Sequence, residues 1–89
     1  MSFKVLDTAV LRKDLPAFAL KKGDVGAIVE VYRRGGFEVE FVRGSGMTQA
    51  LVTLTKKDLR PMGDDDLLAV RPLRRPRPRR SSSRKKPRR

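Results

Sequence analysis

Five residues near the middle of the chain, Phe37-Glu38-Val39-Glu40-Phe41, alternate apolar and acidic without a break. A period of two puts Phe37, Val39 and Phe41 on one side of an extended backbone and Glu38 and Glu40 on the other. That pattern asks for a sheet with one dry face and one wet face, so other strands must complete the dry side.

The rest of the chain supplies them. Val25 to Tyr32 (VGAIVEVY) is dense in β-branched residues and reads as the strongest strand. Arg33-Arg34-Gly35-Gly36 joins it to the alternating segment as a tight hairpin whose glycines are free to take positive φ. Leu6 to Leu11 (LDTAVL) reads as a first strand, and Arg12 to Leu20, with Pro16, as a connecting loop. Lys21 to Asp24 carries a turn signal. After a Gly-rich turn, Arg43 to Gln49, Ala50 to Thr55 (ALVTLT) reads as a strand with Ala50, Val52 and Leu54 inward. Lys56 to Leu59 suits a single helical turn with Thr55 as N-cap and Asp58 closing a capping box. Leu59-Arg60-Pro61 then forms a short edge strand, because Pro61 cannot donate to a ladder. Strands at this spacing predict an all-β fold, a single small SH3-like barrel of about five strands over residues 1–62.

Charge marks where that domain stops. Residues 1–70 hold eleven Lys/Arg against ten Asp/Glu, a balance of +1, whereas residues 71–89 hold eleven Lys/Arg and no acid, so nearly all of the +12 lies in the tail. Residues 63–70 (GDDDLLAV) form an acidic then apolar hinge. Residues 71–89 (RPLRRPRPRRSSSRKKPRR) offer nothing apolar to bury beyond Leu73. They are expected to be a disordered basic tail with polyproline II character around Pro72, Pro76 and Pro78.

Composition also narrows the chemistry. The chain contains no Cys and no His. Disulfides, thiolate metal sites and thiol nucleophiles are thereby excluded, together with the commonest general base. No catalytic residue, cofactor or metal site is expected. No charged-then-apolar leader opens the sequence and no apolar run is long enough to span a bilayer, so a cytoplasmic protein without membrane insertion is expected.

Five elements in order, Leu6–Leu11, Asp14–Pro16, Lys21–Tyr32, Glu38–Phe41 and Asp58–Pro61, resemble a bacterial family of short proteins. This is the family grouped as domain of unknown function 4926, and the resemblance spans residues 5–61. It implies an SH3-like barrel of bacterial origin and brings no established activity, so no catalytic residue is carried over. The basic tail lies outside the family pattern.

The tail supplies the main candidate site: Arg71, Arg74, Arg75, Arg77, Arg79, Arg80, Arg84, Lys85, Lys86, Arg88 and Arg89. Eleven cations with no acid among them attract phosphates and release condensed counterions, which suits DNA or RNA bound without sequence preference. A merely solubilising tail, or a nonspecific membrane-surface patch, is the plainer alternative. Tyr32, Arg33 and Arg34 form a candidate surface for a protein partner, while Phe37 and Phe41 belong to the core. Glu38 and Glu40 share a wet face, where Lys or Arg on neighbouring strands are the expected partners. Gly23-Asp24-Val25-Gly26 lacks the features of a phosphate loop and reads as a structural turn. Asp64-Asp65-Asp66 lacks calcium-loop spacing and reads as a hinge that the tail visits in passing. Ser81 to Ser83 are either a flexible spacer or phosphorylation sites that would lower the tail's charge.

Two functions therefore stand open. One is a non-catalytic nucleic-acid-binding accessory protein, with the tail as anchor and the barrel as platform. The other is a protein-interaction module that partners or regulates a larger enzyme or toxin-like protein, the tail being incidental.

Overall fold

The computed structural model describes residues 3–73. Five strands, β1 (Thr8–Leu11), β2 (Val25–Val31), β3 (Gly36–Val42), β4 (Thr48–Thr55) and β5 (Leu59–Pro61), form one antiparallel sheet in the order β4-β3-β2-β1-β5. Single 3-10 turns occupy Pro16–Phe18 and Lys56–Asp58. The second turn carries the chain from β4 to β5, so the two edge strands are consecutive in sequence and the sheet wraps round a shared interior. The all-β, SH3-like expectation holds.

The dry face predicted by alternation is the core. Phe37, Val39 and Phe41 are buried, and so are Ala50, Val52 and Leu54 opposite them on β4. Leu11, Leu20, Ile28 and Leu59 complete the cluster. Phe3, which the pattern did not single out, packs edge-on against Phe37 with ring centroids 5.3 Å apart.

Simple alternation would have failed in β2. Ile28 lies beside Val39 of the neighbouring strand on the dry face, and strict parity would carry Glu30 onto the same face. A bulge lies between Ile28 and Glu30, and Glu30 pairs with Glu38 on the wet side instead. The extra residue, Val29, takes up the change of parity, which keeps a carboxylate out of the apolar interior.

Local details differ from the sequence reading in two places. The first strand starts at Thr8, not Leu6. Leu6 has φ 78°, and Lys4 to Asp7 close a turn in which the Asp7 carboxylate accepts the Lys4 amide at 2.8 Å. In the β2–β3 hairpin only Gly35 takes positive φ, at 96°; Gly36 already belongs to β3. The capping arrangement around Thr55 is as expected, with the Asp58 carboxylate accepting from the Thr55 amide at 3.0 Å and its hydroxyl at 3.1 Å.

Gly26 is required by closeness, not by φ. A Cβ built there would lie 2.7 Å from Val39 Cγ1, 2.8 Å from Phe41 Cε1 and 3.0 Å from the Glu40 carbonyl oxygen. Gly26→Ala is therefore expected to destabilise the domain by about 1–3 kcal/mol through overpacking. Urea unfolding would measure it, and an unchanged midpoint would mean that β2 and β3 part without penalty.

Candidate functional site

The tail leaves the barrel beside the turn that precedes β2. There the chain crosses Lys21-Lys22-Gly23-Asp24, and Gly23, at φ 96°, lets it reverse. The Asp24 carboxylate accepts the Lys21 amide at 2.7 Å, and the Asp14 carboxylate accepts the Lys22 amide at 2.8 Å. Both acids are thus fixed by backbone donors of the barrel itself. Ala19, left-handed at φ 59°, ends the first 3-10 turn close by.

Arg71 closes on this turn. Its Nε donates to Asp24 Oδ1 at 2.9 Å, its Nη2 donates to Asp24 Oδ2, and the same Nη2 reaches the Ala19 carbonyl at 3.1 Å. A forked guanidinium on a carboxylate is the strong form of an ion pair, because two parallel hydrogen bonds add to the Coulomb attraction. Partial burial alone would raise the Asp24 pKa. Hydrogen bonds from Arg71 and the Lys21 amide, with the charges of Arg71 and Lys21, outweigh it and leave the value below the ordinary 3.8.

The residues before this clasp do little to hold it. Leu67 is 87% exposed, Leu68 70% and Val70 98%. They line an open groove together with Lys21, Lys22, Val42 and Arg43. Arg43 is oriented by Gln49, whose Oε1 accepts from its Nε at 2.9 Å. Lys21, Lys22 and Arg43 therefore line the same groove as Arg71, Pro72 and Leu73.

Arg71 is the one tail cation among the described residues; Arg74 to Arg89 lie outside them, as does the expected disorder of the tail. The tail's root is thus tied to the barrel, and its other ten cations follow beyond Leu73. The acidic hinge is tied as well. Asp66 takes a forked pair from Arg60, at 2.8 and 2.9 Å, and the Gly63 amide at 2.6 Å. The hydrogen bonds from Arg60 and Gly63 hold the Asp66 pKa down to about 2. Among the described residues Asp66 is paired within the hinge, whereas Asp64 and Asp65 are exposed.

Tyr32, Arg33 and Arg34 come together at the β2–β3 hairpin as expected, all exposed. The Tyr32 hydroxyl donates to Glu38 Oε1 at 3.1 Å, and that bond, with the charges of Glu38 and Glu30, raises its pKa. Among the described residues Glu38 and Glu40 do not pair with Lys or Arg, contrary to the sequence expectation. Glu38 accepts from the Thr53 hydroxyl at 2.6 Å and Glu40 from that of Thr48. Register is the reason: Thr53 lies directly opposite Glu38, and β2, β3 and β4 carry no Lys or Arg. Among the described residues no cluster of three or more acids is placed to hold a metal. No helix among them is long and apolar enough to cross a membrane.

Both clasps should respond to acid in one direction. Asp24 and Asp66 have folded-state pKa values below their unfolded ones. Their contributions are fully present above about 3.8 and are lost as pH falls through the lowered values. Carboxyl carbon shifts in an NMR pH titration are expected to show both groups ionising below the ordinary 3.8. Ordinary values for both would contradict the pairing.

A sequence profile of the family described as Domain of unknown function (DUF4926) matches residues 5–61. No curated protein and no solved structure matches the chain.

Proposed function

We propose, for a chain that belongs to the DUF4926 family over residues 5–61, that it acts as a non-catalytic nucleic-acid-binding accessory protein in the bacterial cytoplasm. The family carries no stated activity, so the reading rests on the chain's own residues. One observation carries it: ten cations follow Leu73 with no acid among them, attached to a domain of nearly balanced charge. Such a segment gains affinity by displacing counterions from phosphates. Its sequence carries no apolar periodicity for a helix or strand that could read a groove, so on this reading it contacts the backbone and reads no bases. The Arg71 clasp supports the reading, because it starts the tail at a fixed point beside Lys21, Lys22 and Arg43. The barrel serves as the platform.

Fluorescence anisotropy with several unrelated DNA and RNA sequences of equal length tests it. Affinities within a few-fold of one another are expected across sequences. A preference of a hundredfold for one sequence would contradict backbone-only binding.

A second reading, a protein-interaction module with an incidental tail, is favoured by the hairpin tip. There Tyr32 is exposed beside Arg33 and Arg34, and neither arginine has an ion-pair partner among the described residues. Capture of a partner that survives loss of the tail and fails in Tyr32→Ala would support it.

A further inference from the structure

The clasp around Arg71 is made from two unlike halves. The acceptor half, Asp24 with the Ala19 carbonyl, belongs to the segment matched by the family; the donor, Arg71, lies ten residues beyond the end of that match. The acceptor is also built without the donor's help. The Lys21 amide fixes the Asp24 carboxylate at 2.7 Å, and the Ala19 carbonyl is presented by a left-handed residue at the end of a 3-10 turn. Asp14, held by the Lys22 amide, adds its charge to the attraction for Arg71. A carboxylate fixed in this way beside a free carbonyl matches the planar fork of a guanidinium and not the point charge of an ammonium.

We propose that Asp24 and the Ala19 carbonyl form a guanidinium-binding site on the barrel, filled in cis by Arg71, that also takes an arginine–proline peptide in trans. The residue that follows the bound arginine is Pro72, and the same Arg-Pro step recurs at Arg75-Pro76 and Arg77-Pro78. Proline fixes its own backbone and biases the preceding residue to an extended form, so an Arg-Pro step presents its guanidinium at little conformational cost. The cis occupant is displaceable. Its flanking residues Leu67, Leu68 and Val70 are largely exposed, so the fork itself carries most of the attachment. Tethering still gives it an effective concentration in the millimolar range, which an incoming peptide must exceed. The site is independent of whether the tail binds nucleic acid.

The experiment titrates the full chain with an acetylated, amidated peptide of residues 71–73, which holds a single Arg-Pro step, read by amide shifts of Ala19, Lys21, Gly23 and Asp24. Two proteins are compared: the natural chain and R71A/R75A/R77A, which empties the site and removes the other Arg-Pro donors. Saturable shifts confined to that turn are expected in the variant, with the natural chain needing at least tenfold more peptide. Replacing the peptide's arginine with citrulline or lysine should weaken binding at least tenfold with the protein untouched. Adding Asp24→Asn, with core amides of Ile28 and Val39 unshifted as proof of folding, should abolish the response. No saturable shift in the emptied variant would overturn the proposal, as would equal binding of the citrulline peptide. Equal peptide demand by both proteins would overturn the cis occupancy. No nucleic acid enters the assay, so its failure leaves the tail's proposed role standing and is told apart from it.

Discussion

Raising monovalent salt from 50 to 200 mM should weaken binding of the full chain to duplex DNA by roughly 10³- to 10⁵-fold. The size follows from the tail's composition. Each cation that meets a phosphate adds about 0.9 to the slope of log affinity against log salt. Ten cations follow Leu73, so the steepest slope for the tail is about −9 if every one engages. Six contacts would still give more than a thousandfold across a fourfold change in salt. Arg71 is not counted, because its guanidinium is engaged by Asp24 and Ala19. A slope shallower than about −3 would mean that most of the tail stays off the phosphates.

The second large effect concerns the platform. Ile28→Ala should destabilise the barrel by about 2–5 kcal/mol, the usual range for emptying a fully buried aliphatic site. Ile28 is 0% exposed and faces Val39 on the neighbouring strand. Its own peptide group joins β2 to the N-terminal turn, donating to the Asp7 carbonyl at 2.9 Å and accepting the Leu6 amide at 2.7 Å. A domain of this size has little stability in reserve. With each kcal/mol worth about 4–8 °C, a drop in Tm of roughly 10 °C or more is expected by circular dichroism. A drop under about 4 °C would show that the interior relaxes around the lost atoms.

The fold was legible in the sequence wherever a local rule decided it. Alternation over Phe37–Phe41 fixed which residues are buried, since side-chain parity along a strand leaves one solution once one face is dry. The Thr55–Asp58 cap was legible for the same reason, because donor and acceptor lie three residues apart. Features that depend on meeting across the chain were not. Arg71 and Asp24 are separated by 47 positions, and nothing near Arg71 marks it apart from the other tail arginines. No local signal marks the pairing, because the Lys21 amide already gives the Asp24 carboxylate a partner within its own turn. Glu38 and Glu40 were assigned basic partners by charge, yet cross-strand register put Thr53 opposite Glu38, and Glu40 takes the hydroxyl of Thr48 farther along β4. Parity alone would also mislead in β2, where only a bulge reconciles Glu30 with Ile28.

The most direct test compares the full chain with one ending at Leu73, which keeps every described element and the Arg71 clasp. Both are titrated with the same labelled single- and double-stranded DNA and RNA over a salt series. If the tail is the anchor, the shortened chain shows no measurable binding at physiological salt, while the full chain binds with the steep salt dependence described above. Equal affinity of the two chains would contradict the account and move nucleic-acid recognition to the barrel. Absence of binding by either would leave the protein-interaction reading in its place.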